Sequence, residues 1–529
     1  MRRFSSYGPV SPKLHYYAPR TELVERASIQ LVGEASEEGG HYITVWAPRQ
    51  TGKTWVMQQV VSRLQARGDF EVAILTLQSA RTETTAAGAL DLLVSGLRRW
   101  FGRDLPAVTS WKGLGELFTA NYFARPLILI LDEFDSLPEE FIADFANEFR
   151  SMYTQRLNEA DKKSGEKSCL LHGLALVGVR AVLGVENVRG SPFNVQRSLH
   201  IPNLTFDEVA GMFRWYEQES GQAVESAVVT RLFEETRGQP GLVGWFGELL
   251  TETYNTEPKW PITLDHFEEV YAEAINVLPN NNILNLVSKA RQEPYREFVL
   301  ELFETRTKVE FSYDDVRINF LYMNGVIDRE KAARGEYYVK FASPFVQKRL
   351  FNYFAGQAFR ELGRLYPLFA DLSDTITDDQ LHVRNLLRRY EQYLRQNRDW
   401  LLKDAPRKSD LRICEAVYHF NLYLYLASFI RHRRGEVWPE FPTGNGKLDL
   451  LIRYAGRLYG IEVKSYSDDY AYRQALQQAA RYGQQLGLTE IVLALFVEQV
   501  DDANRARYEA VYTDVVTGVT VTPVFVETG

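Results

Sequence analysis

Three short stretches hold residue types whose spacing could do chemistry. The first, Val45–Thr54, reads VWAPRQTGKT. A strand-like run ends at Trp46, the loop Ala47–Gly52 follows, and a helix is expected up to Gln65. Backbone N–H groups of a tight loop and a helix start can cradle phosphate oxygens. On this reading Pro48, Arg49, Gln50, Thr51 and Gly52 wrap the phosphates. Lys53 reaches the β- and γ-phosphates, and Thr54 holds Mg²⁺. Ala47 stands where the motif usually has its first glycine, which a loop position of negative φ accepts. The second stretch, Pro126–Leu137, reads PLILILDEFDSL. Its apolar run delivers Asp132 and Glu133 to the tip of a sheet, where the phosphates should lie. Asp132 is expected to bind Mg²⁺ through water, and Glu133 to polarise the attacking water as general base.

The third stretch, Lys447–Lys464, reads KLDLLIRYAGRLYGIEVK. Two apolar strands flank a turn at Ala455–Gly456. Period 2 puts Glu462 and Lys464 on one face, with Ile461 and Val463 opposite. An antiparallel hairpin can bring Asp449 close to Glu462. Charged residues inside an apolar strand are costly unless they bind something. Two carboxylates and a lysine suit metal-assisted phosphodiester hydrolysis. Asp449 and Glu462 would bind Mg²⁺ or Mn²⁺, and Lys464 would position the water or stabilise the developing oxyanion. The plainer reading is a β-hairpin carrying an exposed Glu462–Lys464 ion pair.

The elements needed to position these groups can be read from patterning. Tyr42–Trp46, Val72–Leu77, Leu127–Leu131 and Leu174–Val179 read as buried strands separated by helix-length segments, the pattern of a parallel α/β sheet. Asn158–Lys167 is polar and charged and reads as an exposed loop or a frayed helix end. From Leu204 the pattern turns helical, with a start at Thr205 and a break at Thr236–Gly241 before an apolar helix to Thr251. Pro294–Phe354 suits a small winged helix. Its helices would be Glu297–Glu304 and Ser312–Asn324, its wing strands Gly325–Ile327 and Tyr337–Phe341, and its charged wing tip Asp328–Gly335. A helical stretch, Gln357–Trp400, follows. Then come a helix over Leu411–Arg431 and strands Glu436–Phe441, Leu448–Tyr454, Leu458–Val463 and Ile491–Phe496. Arg384, Arg388, Arg389, Arg395 and Arg398, with Arg431–Arg434, could track a phosphate backbone or simply form a solvated helix face.

Composition sets the frame. With 529 residues the chain calls for two to four domains. Its 45% hydrophobic and 25% charged residues exclude a disordered or fibrous chain. A net charge of −8 excludes a small basic nucleic-acid-binding protein, although a local patch could still bind one. The two cysteines, Cys169 and Cys414, offer neither a disulfide framework nor a zinc site, and favour a cytoplasmic location. No apolar stretch has membrane-spanning length.

The first half resembles the AAA+ and STAND group of ATPases, notably the archaeal-type AAA-like proteins. Tyr16–Glu22 (YYAPRTE), Ala47–Thr54, Leu131–Asp135 (LDEFD), Ser191–Asn194 (SPFN) and Gly238–Leu242 (GQPGL) carry the likeness. It implies ATP as cofactor, Tyr17–Arg20 near the adenine, and a helical lid after the sheet. It also implies a sensor after the fourth strand, where Arg180 is the candidate. Arg197 could act in trans or be a plain surface arginine, and such ATPases often complete their site as homo-oligomers. The C-terminal region resembles the PD-(D/E)XK nucleases of the RecB-like branch. Asp449, Glu462 and Lys464 match the family's motif, with Leu448 replacing the proline before the aspartate. The resemblance implies a supporting acid at Glu415 and a Q-x-x-x-Y pair, Gln478 and Tyr482, on one helix face.

The expected architecture is therefore α/β throughout. A P-loop ATPase core (1–203) carries a helical lid (204–290). A winged-helix-like unit (291–356) and a helical connector (357–402) lead to an α/β restriction-endonuclease-like domain (403–529). The expected function is ATP-dependent or ATP-regulated, metal-dependent cleavage of nucleic acid, DNA foremost, in defence or mobile-element biology. The rival is a signalling or scaffold ATPase whose C-terminal domain binds nucleic acid or protein without cutting. A further rival is a phosphate loop that binds ATP without turnover.

Overall fold

The computed structural model describes residues 1–8, 10–35, 37–178, 197–255, 257–304, 308–332, 335–358, 365–366, 370–401, 415–430, 435–442 and 447–529. The chain falls into two compact units. One comprises Met1–Lys289 and Glu310–Val346, the other Ala290–Val309 and Gln347–Gly529.

The first unit begins with α1 (Thr21–Val32), β1 (Tyr42–Trp46), α2 (Lys53–Arg67), β2 (Glu71–Thr76), α3 (Ala86–Phe101) and α4 (Trp111–Leu117). There follow β3 (Leu127–Asp132), α5 (Glu139–Asn158), β4 (Leu171–Gly178) and β5 (Arg197–His200). The strands form one parallel sheet in the order β2-β3-β4-β1-β5. Period 2 explains its two-sided burial. Ile128 and Ile130 of β3 join Ile43, Val45, Val56 and Met57 on the face covered by α1 and α2. Leu127, Leu129 and Leu131 join Leu90, Leu93 and Phe145 on the face covered by α3 to α5. A strand buried on both faces reads as an unbroken apolar run, which is why the four expected strands match β1 to β4 within a few residues.

The helical region holds α6 (Phe206–Ser220), α7 (Ser226–Thr236), α8 (Pro240–Glu248), α9 (Leu264–Asn276) and α10 (Asn281–Ala290). Thr205 starts α6 with a full capping box, its hydroxyl accepting from Glu208 N–H while the Glu208 carboxylate accepts from Thr205 N–H. Pro240 at the first turn of α8 suits a position whose N–H has no helical partner.

The segment expected to be a winged helix contributes to both units. Helix α11 (Tyr295–Glu304) belongs to the second unit. Helix α12 (Val316–Met323) and the hairpin of β6 (Ile327–Lys331) and β7 (Tyr337–Phe341) belong to the first. Strand β6 extends into the expected wing tip because Asp328 pairs with Lys340 in register and the Arg329 guanidinium lies over the Tyr322 and Tyr337 rings.

The second unit continues with α13 (Pro344–Ala358), which begins in the first, then α14 (Val383–Leu401) and α15 (Glu415–Ile430). The single helical stretch expected over Gln357–Trp400 is interrupted. Thr375 and Ile376 close a turn on Leu372, and Ile376 bridges to Leu381 before α14 begins. Then come β8 (Glu436–Pro442), β9 (Lys447–Tyr454), β10 (Arg457–Ser465), α16 (Asp469–Gln485), β11 (Glu490–Val497), α17 (Asp502–Tyr508), β12 (Tyr512–Thr513) and β13 (Thr520–Glu527). They form a mixed sheet in the order β12-β13-β11-β10-β9-β8. Helix α16 packs Ala475, Leu476 and Ala479 on one face against Leu448, Leu493 and Phe525. On the sheet's other side Phe496 meets Tyr390 of α14 and stacks on Tyr418 of α15. The β9–β10 turn has positive φ at both Ala455 (49°) and Gly456 (75°), the backbone of a tight hairpin turn that glycine accepts without strain.

Candidate functional sites

The loop after β1 and the tip of β3 meet across the end of β4, which lies between them in the sheet. Gly52 takes a left-handed conformation (φ 89°) that lets the loop turn into α2. Lys53 Nζ donates to the carbonyls of Ala47 at 2.7 Å and Pro48 at 2.8 Å, folding back over its own loop. Thr51 Oγ1 closes the same loop by donating to the Pro48 carbonyl. Thr54 Oγ1 donates to Asp132 Oδ2 at 2.6 Å, and Glu133 N–H donates to Asp132 Oδ1 at 3.0 Å. Thus Lys53, Thr54, Asp132 and Glu133 lie together, as the sequence predicts.

The electrostatics follow from burial. Burial pushes the Lys53 ammonium down to about 8, although Asp135 and Asp132 pull it up. Burial raises the Asp132 carboxyl, opposed by the Thr54 and Glu133 hydrogen bonds. Burial and then Asp132 raise the Glu133 carboxyl. Glu133 holds a left-handed backbone (φ 56°), a conformation unfavourable for a residue with a Cβ and often kept at functional sites. Its Oε2 is buried with no hydrogen-bond partner among the described residues.

Trp55 and Trp215, which pack against Tyr17, escape sequence reasoning. Tyr17 makes edge contacts with Trp55 of α2 at 5.2 Å and Trp215 of α6 at 5.5 Å. Nothing in the pattern of α6 distinguishes Trp215 from an ordinary core aromatic. Arg20 Nη2 donates to the Pro202 carbonyl at 2.7 Å, and its guanidinium lies 3.4 Å from Glu208. Arg197 pairs with Glu34 at 2.7 Å. Arg180 and Ser191–Asn194 lie outside the described residues.

In the second unit, β9 and β10 pair in register from Tyr454 and Arg457 to Leu450 and Ile461, while β10 stays paired with β11 as far as Ser465. Beyond Leu450 the Asp449 side chain takes over, its Oδ2 accepting from Val463 N–H at 2.7 Å. Lys464 Nζ donates to Glu462 Oε1 at 2.6 Å. Glu462 is 1% exposed and the Lys464 side chain 14%, so this pair is buried, unlike the exposed ion pair of the plainer reading. Gln478 Nε2 donates to Tyr482 Oη at 2.7 Å on one face of α16. Glu415 is the first residue of α15, and its side chain lies outside the described atoms. One contributor was missed: His419 Nε2 donates to the Asp449 carbonyl at 2.9 Å, tying α15 to the strand that carries Asp449. Its only sequence signal is a polar residue inside the aromatic run YHFNLYLYL.

Of the arginines of α14, Arg384, Arg388 and Arg389 are tied into their own unit, whereas Arg395 and Arg398 are exposed. Arg388 bonds the Phe525 carbonyl, Glu391 and Glu509. Arg389 bonds Thr375 and Asp374, Arg384 the Glu509 carbonyl, and Arg395 Glu527. They anchor the helix within its own unit. Arg431–Arg434 lie outside the described residues.

No protein-family model matches the chain, and no curated protein matches it. Among solved structures the chain is similar to a Walker-type ATPase of Pyrococcus abyssi. Identity is 14%, coverage is 66% of this chain and 98% of that one, and the TM-score is 0.42. It is also similar to the Aeropyrum pernix ORC1 protein in complex with DNA (18% identity, 63% and 92% coverage, TM-score 0.31). A third similar structure is Cdc6p from Pyrobaculum aerophilum (13% identity, 65% and 95% coverage, TM-score 0.36).

Proposed function

We propose that the first unit binds and hydrolyses ATP and that the second is a metal-dependent nuclease acting on DNA, with ATP gating or driving the cut. The observation that carries the first half is the meeting of Lys53, Thr54, Asp132 and Glu133 at the strand tips, with Thr54 and Asp132 2.6 Å apart. The hydroxyl and carboxylate oxygens suit Mg²⁺, a hard cation. When bound, Mg²⁺ would neutralise charge on the β- and γ-phosphates. Lys53 would leave the Ala47 and Pro48 carbonyls for a phosphate oxygen. Glu133 would take a proton from the attacking water, a role that its burial-raised pKa supports.

For the second half, the supporting observation is the departure of β9 from β10, beyond which the Asp449 carboxylate accepts from the N–H of Val463, the residue between Glu462 and Lys464. Two carboxylates fit Mg²⁺ or Mn²⁺, which would lower the pKa of a bound water. Lys464 would turn from Glu462 toward the developing oxyanion. Glu415, Gln478 and the 1–203, 204–290, 357–402 and 403–529 parts of the partition belong to this proposal, as does assembly through the ATPase core; 291–356 is shared between the two units. The closed Glu462–Lys464 pair favours one alternative, a C-terminal module that binds nucleic acid or protein without cutting.

The deciding experiment incubates the protein with linear and circular plasmid DNA, Mg²⁺ or Mn²⁺, with and without ATP. Asp449→Ala/Lys464→Ala and Glu133→Gln proteins run in parallel. The proposal expects metal-dependent cutting that the double variant lacks, and ATP turnover that Glu133→Gln lowers by about a hundredfold. Turnover without cutting, on single-stranded and RNA substrates too, would leave the binding module.

A further inference from the structure

The start of α8, within the helical lid, is tied to the main chain of the phosphate loop. Gln239 Nε2 donates to the Arg49 carbonyl at 3.2 Å and to the Gln50 carbonyl at 3.3 Å. Gly241 N–H donates to the same Gln50 carbonyl at 3.0 Å. The other end of the Gln239 amide, Oε1, accepts from Leu242 N–H at 2.6 Å and caps α8. One side chain thus starts the lid helix and holds the loop.

The approach is close enough to require glycine. A Cβ on Gly241 would lie 2.3 Å from Gln50 Oε1 and 2.7 Å from Gln50 Cβ. Gln50 itself is left-handed (φ 57°), and its Oε1 is buried with no hydrogen-bond partner among the described residues. On the loop's other flank Gly325, between α12 and β6, is seated on Pro48, where a Cβ would lie 2.8 Å from the proline ring.

In a trans peptide the carbonyl and the next N–H point in opposite directions. Holding the Arg49 and Gln50 carbonyls toward Gln239 therefore turns the N–H groups of Gln50 and Thr51 away from the lid. Successive N–H groups presented by a left-handed residue form an anion-binding concavity. We propose that Gln239 is a positioning residue for nucleotide phosphates, its amide holding the two peptide planes so that the Gln50 and Thr51 N–H groups receive them. The lid then sets the loop's affinity, and bound polyphosphate strengthens the lid contact by the same factor. This rests on the reading of Ala47–Thr54 as a phosphate loop.

The test is Gln239→Glu, which keeps the oxygen that caps α8 and removes the donor. Gln239→Ser also caps a helix but is too short to reach the loop, and it carries the test if the glutamate variant does not fold. Pyrophosphate and ATP are titrated into the full chain by calorimetry. Both ligands are expected to bind about tenfold more weakly to either variant, the neutral serine protein excluding charge repulsion by the glutamate as the cause. Pyrophosphate affinity left unchanged overturns the proposal even if ATP affinity falls, because the defect then lies away from the phosphates. Binding that is absent in the unsubstituted protein, or that survives Lys53→Ala, instead overturns the phosphate-loop reading beneath it.

Discussion

The Thr54 hydroxyl donates to Asp132 Oδ2 at 2.6 Å, joining the first turn of α2 to the tip of β3 across 78 positions of chain. Thr54→Val keeps the shape and deletes the oxygen. ATP turnover should fall by about a hundredfold. Stability should drop by about 1–3 kcal/mol, because a buried carboxylate loses a hydrogen bond. Turnover and chemical denaturation measure the two effects separately. Turnover unchanged in the valine protein would contradict the assignment of Thr54.

Lys53 should make nucleotide binding sensitive to alkali. Burial places its ammonium at about 8, so charge is lost as pH rises through that value. ATP affinity should decline several-fold from about pH 7.5 to 9, and Lys53→Arg should flatten the profile because a guanidinium stays charged there. Calorimetric titrations across that range give the answer.

His172 predicts loss of stability in acid. Arg156 Nη2 donates to Ser164 Oγ, Ser164 lies 2.6 Å from His172 Nδ1, and His172 Nε2 donates to the Val32 carbonyl at 2.9 Å. Burial, the main cause, pushes the imidazole down to about 4 from 6.5. The unfolded chain therefore binds the extra proton first. The contribution is fully present above pH 6.5 and is lost as pH falls toward 4, up to about 3 kcal/mol. His172→Gln should unfold with a shallower pH dependence over that window. Matching slopes in denaturant melts of the two proteins would count against this account.

The second unit offers a contrast between two substitutions. Asp449→Asn retains an oxygen for Val463 N–H, so it should abolish metal-dependent cutting while the melting temperature moves little. Lys464→Ala removes the cation from a carboxylate that is 1% exposed and should cost about 3–5 kcal/mol as well as activity. If Lys464→Ala melts like the unsubstituted protein, Glu462 is held by other means.

The candidate sites were legible because their chemistry sits at the ends of strongly patterned elements. Strands β1 and β3 are apolar on both faces, so their polar ends stand out. The Glu462–Lys464 face follows from period 2 alone. Other features depend on partners far away in sequence. Strand β13 contains Pro523, which argues against a central strand. It is accommodated because the two-residue β12 pairs only with Thr520 and Val521, leaving Pro523 at an edge opposite Leu493. Arg388 and Arg395 of α14 look solvent-directed until Glu509 and Glu527 arrive from beyond residue 500. Asn158–Lys167 reads as exposed, yet Ser164 and Lys167 are buried there by Arg156 and His172.

The two units are interleaved along the chain, with Ala290–Val309 serving the second and Glu310–Val346 the first. A gene truncated near codon 290 would therefore encode a first unit lacking α12 and its hairpin, and a remainder burdened with a segment foreign to it. During synthesis the first unit cannot be completed until Val346 has emerged, by which time part of the second has already left the ribosome. Dissecting this protein into working halves thus calls for three cuts and two rejoinings rather than a single cut.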